Sequence, residues 1–79
     1  MDIYPNPFTS EIQISASGVA NNAELEVLNV LGQRVHQAVV VPVNQFVYTS
    51  VDLSSEAAGV YIVRLVANGK QFQQKVVKQ

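Results

Sequence analysis

Apolar and polar residues alternate with a period of two along much of the chain. Glu11-Ile12-Gln13-Ile14-Ser15-Ala16 and Glu24-Leu25-Glu26-Val27 each divide into one apolar and one polar face. That is the pattern of a strand with one side against a core. No window of helical length repeats its apolar residues at i, i+3, i+4 and i+7 between caps. The nearest approach is a single turn, Ser54-Ser55-Glu56-Ala57-Ala58, closed by Gly59. Fifteen valines among 79 residues agree with strands, because β-branched side chains suit a pleated, half-buried surface and crowd a helix.

Turn residues cut this pattern into short pieces. Pro5-Asn6-Pro7 ends a brief first strand, since neither proline can donate to a ladder. Ser17-Gly18 with Asn21-Asn22, then Leu31-Gly32, then Pro42 with Asn44, mark the next loops. Asn68-Gly69, between Val63-Arg64-Leu65-Val66 and Phe72-Gln73-Gln74-Lys75, is the strongest hairpin signal, because both residues accept the positive φ of a type I′ turn. The prediction is an all-β fold, an immunoglobulin-like antiparallel β-sandwich of about seven short strands within one domain spanning 1–79.

Facing follows from the alternation. Ile12, Ile14, Leu25, Val27, Val35, Val39, Val51, Leu53, Tyr61, Val63, Leu65, Phe72 and Val76 are expected to point inward. The segment from Val60 to Val66 differs, since its second face is also apolar at Val60, Ile62 and Val66, with Arg64 the one interruption. A central strand covered on both sides gives this pattern, and so does a strand that presents a patch to a partner. The first reading is favoured. Lys70, Lys75 and Lys78 suit a final edge strand that must discourage pairing with other chains.

Composition narrows the function. Area scaling gives about 4,700 Å² exposed when folded and about 12,500 Å² unfolded, enough for one core and no large cleft. Hydrophobic residues at 48% and charged ones at 14% exclude a disordered tail. Five basic and six acidic residues, a net charge of −1, lack the clustered cations of a nucleic-acid binder. There is no cysteine to form a disulfide or a thiolate metal site. No signal-peptide pattern follows Met1, and the apolar run around Ala38–Val43 falls far short of the ~20 residues that span a bilayer.

Candidate chemistry is sparse. His36 is the one histidine, expected on the outward face beside Arg34, and zinc needs several ligands. No serine sits in a nucleophile-elbow pattern, no Asp-x-Asp-x-Asp-Gly loop is present for calcium, and no glycine-rich loop precedes a helix. The expectation is a protein that is not an enzyme, with no cofactor, no catalytic residue and no metal ligand. Phe46 and Tyr48, two apart on one strand face, read either as cover for the core or a sheet edge, or as a sugar-stacking platform. The second reading is the alternative function, a carbohydrate-binding or adhesive sandwich module.

Several short motifs stand in a recognisable order. Tyr4-Pro5-Asn6-Pro7-Phe8 is followed by Leu28-Asn29-Val30-Leu31-Gly32-Gln33-Arg34-Val35, then Val51-Asp52-Leu53-Ser54-Ser55, Ala58-Gly59-Val60-Tyr61-Ile62-Val63, Asn68-Gly69 and Lys75-Val76-Val77-Lys78. Over nearly its whole length the chain resembles the type A C-terminal sorting domains of proteins exported by the type IX secretion system of Bacteroidetes. The resemblance implies a seven-stranded immunoglobulin-like sandwich at the end of a larger cargo protein that carries its signal peptide upstream. It implies passage through the periplasm, recognition by the outer-membrane translocon, and removal by a sortase-like cysteine peptidase with the cargo left on the surface or released. The cut is expected before Asp2.

The family's motif positions correspond to Pro5, Asn6, Pro7, Gly32, Gly59, Tyr61 and Gly69. Each also has a structural reading: Gly32 and Gly69 in turns, Gly59 at a bulge or strand entry, Tyr61 as a tyrosine corner, and the prolines as strand ends. Arg34 and the terminal Lys75, Val76, Val77 and Lys78 are the candidates for contact with the secretion machinery. Core packing gives no reason for charge at those places.

Overall fold

The alternating segments become seven strands and no helix in the computed structural model, which describes residues 1–79. In chain order they are β1 (Asp2–Tyr4), β2 (Glu11–Ser17), β3 (Ala23–Leu28), β4 (Arg34–Val40), β5 (Phe46–Asp52), β6 (Gly59–Ala67) and β7 (Lys70–Lys78). One antiparallel sheet has the order β1-β2-β5 and the other β4-β3-β6-β7. In the lettering of the immunoglobulin fold, β1, β2 and β5 take the places of A, B and E. The strands β3, β6 and β7 take those of C, F and G, and β4 extends the second sheet. The exposed area, 4670 Å², matches the scaling expected from mass alone.

Between the sheets lies one apolar core of 17 residues. Ile12, Ile14, Leu25, Val27, Val63 and Val76 in it are fully or almost fully buried. Each contributes on the order of 1.5–3 kcal/mol by leaving water, and no disulfide adds to that. Phe8 and Tyr61 meet in this core as tilted rings with centroids 6.5 Å apart. At the β6–β7 hairpin Asn68 and Gly69 take φ of 54° and 72°, the type I′ turn read from the sequence. The Asn68 side chain also accepts from the Ala20 N–H (3.1 Å) and donates to the Gly18 carbonyl (2.7 Å), tying the hairpin to the β2–β3 loop.

Three facing expectations need correction. Val39 is 65% exposed. The β3–β4 pairing shifts by one residue after Val27, which faces His36, while Leu28 faces Arg34. The extra residue leaves Val35 against the core and turns Val40 inward in place of Val39. The same bulge sets the half-buried His36 opposite the buried Val27, not on the outward face with Arg34. Phe72 pairs with Leu65 as the alternation requires, but at the open end of the sandwich, where its ring stays 42% exposed. It lines a hollow of about 60 Å³ with Met1, Ala16 and Val19.

The second apolar face of β6 is not covered by a third layer. β6 is central within its sheet, between β3 and β7, and Val60, Ile62, Arg64 and Val66 on its outer side are half-buried by their neighbours alone. The favoured sequence reading, a strand covered on both sides, gives way to the other. The strand presents a patch.

Candidate functional site

Register determines which side chains share that patch. Leu28 on β3 lies opposite Arg34 on β4 and Ile62 on β6, and Ile62 lies opposite Lys75 on β7. One row across all four strands therefore reads Arg34–Leu28–Ile62–Lys75, two cations flanking two aliphatic side chains. Val60 and Val77 face each other in the adjoining row. The sequence placed Arg34 and Lys75 among contact candidates 41 positions apart, and folding brings them to the two ends of one surface feature.

Glu26 holds the neighbouring row in place. It forms an ion pair with Arg34 Nε at 3.4 Å and accepts from Arg64 Nη1 at 3.5 Å, and Arg34 also donates to Gln37 Oε1 at 2.6 Å. Arg34 keeps half of its side chain exposed (49%). The bulge in β4 makes this contact, so residue spacing gave no signal for it.

Val76 and Lys78 occupy a different environment from Lys75 and Val77. Val76 is fully buried in the core. Lys78 is 8% exposed, and its ammonium donates to the carbonyls of Ser54 (3.3 Å) and Glu56. That satisfies two backbone acceptors in the β5–β6 loop, and packing therefore does give a reason for this charge. In the folded domain neither side chain is presented to a partner, whereas Lys75 is exposed and Val77 half-exposed.

Residues of the first motif close the edge of β7. The Val77 N–H donates to Asn6 Oδ1 (3.0 Å), and Asn6 Nδ2 donates to the Lys75 carbonyl (3.4 Å). The Phe8 N–H donates to the Val77 carbonyl (2.9 Å) and the Gln79 N–H to that of Phe8 (2.8 Å). Pro5 and Pro7, on either side of Asn6, keep this segment out of the β1 ladder. The final strand is an edge, as its lysines foretold, but it stays uncovered only over its first half, at Gln71 and Gln73.

The remaining motif positions lie at turns and corners. Gly32 sits in the β3–β4 turn, where Asn29 Oδ1 accepts from the N–H groups of Leu31 (3.0 Å) and Gln33 (2.9 Å). An asparagine two and four residues before its partners is the local signal of this turn in the sequence. Gly59 opens β6 with φ +149°, a backbone that L side chains rarely adopt. Tyr61 donates its hydroxyl to the Ala57 carbonyl, the bond of a tyrosine corner near the start of strand F.

The arrangement defines a small immunoglobulin-like β-sandwich whose distinctive chemistry lies on sheet faces and strand edges. Comparison with known families makes this specific: the chain belongs to the secretion-system C-terminal sorting domains, matching that family over residues 2–79. It is a sorting domain of type IX secretion, a signal for export to the cell surface or the medium that works with the secretion machinery. No curated protein matches the chain.

Proposed function

We propose that residues 1–79 form a non-catalytic routing domain at the C-terminal end of a larger exported protein. It crosses the periplasm with its cargo and engages the outer-membrane translocon. A sortase-like cysteine peptidase then cuts before Asp2, and the cargo is attached to the surface or released. Family membership supports the export role, and the row Arg34–Leu28–Ile62–Lys75 carries the reading of which surface is engaged. Two aliphatic side chains between two cations form a feature a receptor can bury at the centre and pair with carboxylates at the rim.

Deleting the final residues is a poor test, because Val76 and Lys78 hold the fold. Neutralising the row is a better one. A reporter fused ahead of the domain in a type IX-competent cell is expected to lose surface delivery by about tenfold or more with Arg34→Gln/Lys75→Gln, the equivalent of ~1.4 kcal/mol of recognition. Undiminished delivery by that variant, with the domain folded, would remove the row from the mechanism.

A further inference from the structure

The outer face of the three-stranded sheet has no part in the sorting reading. It carries three exposed aromatic rings, Tyr4 on β1 (45%) and Phe46 (45%) and Tyr48 (59%) on β5. Between these strands β2 contributes small or amide side chains: Ser15 lies opposite both Asp2 and Tyr48, and Gln13 lies opposite Tyr4. The Tyr48 hydroxyl, from across β2, raises the Tyr4 pKa above its ordinary value. By the alternation of β1 and β5, Tyr4, Phe46 and Tyr48 all stand on this outer face.

Charge selects among ligands for such a face. β1, β2 and β5 hold Asp2, Glu11 and Asp52 and not one lysine or arginine. Phosphorylated, sulfated or uronic ligands are repelled there. A plain apolar partner would bury the carboxylates without compensation. A polyhydroxylated, uncharged ligand does neither, since it offers apolar ring faces to the aromatics and hydroxyl donors to the carboxylates. Phe46 and Tyr48 stand about 7 Å apart along one face of β5, a spacing of the order of one sugar unit.

We infer that this face binds a neutral oligosaccharide, with Tyr48 and Phe46 stacking on sugar rings and Asp2, Ser15 and Gln13 bonding their hydroxyls. The site is on the sheet opposite the Arg34–Lys75 row and acts independently of it. Cellotetraose, maltotetraose and mannotetraose serve as neutral probes, and tetragalacturonate as an acidic one, in titrations of the ¹⁵N-labelled domain. At least one neutral probe is expected to give saturable amide shifts clustered at Ser15 and from Phe46 to Ser50. Tyr48→Ala should weaken that binding about fivefold or more, and Tyr48→Phe by no more than about twofold, since the ring carries the contact. Phe46→Ala is the second probe should Tyr48→Ala fail to fold. Arg34→Gln/Lys75→Gln should bind as the parent does, which separates this site from the sorting row. The inference is overturned by the absence of shifts with every neutral probe, by shifts on β3 and β6, or by an equal response to tetragalacturonate. Shifts that depend on protein concentration without sugar would overturn it too, because they would assign the face to a second copy of the chain.

Discussion

Tyr61 and Asp52 show how single polar groups set the corners of this sandwich. The Tyr61 ring is buried beside Phe8 while its hydroxyl reaches the Ala57 carbonyl in the β5–β6 loop. Tyr61→Phe keeps the ring and strands that acceptor, so it is expected to cost about 1 kcal/mol, read as a lower urea midpoint at unchanged slope. Asp52, at the end of β5, is held below the usual carboxylate range by the Ser54 hydroxyl and backbone N–H, the latter at 2.9 Å, with the Lys78 charge also helping. A depressed folded pKa stabilises the fold above the ordinary aspartate value of about 3.9, and the contribution is lost as pH falls through the lower folded value. Asp52→Asn is therefore less stable than the parent near neutrality, and the gap closes below about pH 4. A gap that stays constant from neutrality to acid would refute the assignment. Gly59 belongs to the same scale: with φ +149° and open space around it, Gly59→Ala meets no clash and still costs about 1–3 kcal/mol in backbone strain.

Among the elements, the terminal strand and the first motif behave as one unit across some 70 residues of sequence. Phe8 is 1% exposed and fixes the position from which its own backbone, and the Asn6 side chain, reach the β7 edge. Phe8→Ala should cost about 3–5 kcal/mol through the cavity it leaves, measured by thermal or urea unfolding. Asn6→Ala removes no core volume, so its effect is local. The Val77 amide loses hydrogen-exchange protection while Val63 in the middle of β6 keeps its own. Equal loss at both amides would mean that Asn6 holds the whole domain and not one edge. This pairing marks where local reading stops. Strand identities, the Asn68-Gly69 turn and the tyrosine corner were legible because they depend on residues within a few positions of each other. The cover on β7 joins both ends of the chain, and no periodicity carries that. The β4 bulge was equally hidden, because Val35 and Val39 alternate correctly and only pairing with β3 reveals the extra residue. So was the interior position of Lys78, since a lysine in an edge strand looks like any other edge charge until the loop carbonyls above it are placed.

Over the whole molecule the near-zero net charge hides a division by sheet. The three-stranded sheet carries Asp2, Glu11 and Asp52 and no cation. The other carries Arg34, Arg64, Lys70, Lys75 and Lys78 against Glu24 and Glu26. These side chains come from strands interleaved along the chain, so the asymmetry emerges only when the strands sort into sheets. It implies that the residues that build the core and those that display a surface can be changed separately. Arg34 and Lys75 lie exposed on edge strands, and surface ion pairs of the Arg34–Glu26 kind are worth about 0–1 kcal/mol. Arg64 remains to hold Glu26 after Arg34 is neutralised. Arg34→Gln/Lys75→Gln should therefore shift stability by no more than about 1 kcal/mol. Val76→Ala, two strand positions from Lys78 and fully buried, should cost about 1–3 kcal/mol although it changes no surface charge. Paired with the reporter, these two variants separate folding from recognition. A domain that keeps its unfolding midpoint and loses export places the signal on the four-stranded face. A double neutralisation that lowers the midpoint as far as Val76→Ala would show instead that the row supports the fold, and any export defect would then follow from instability.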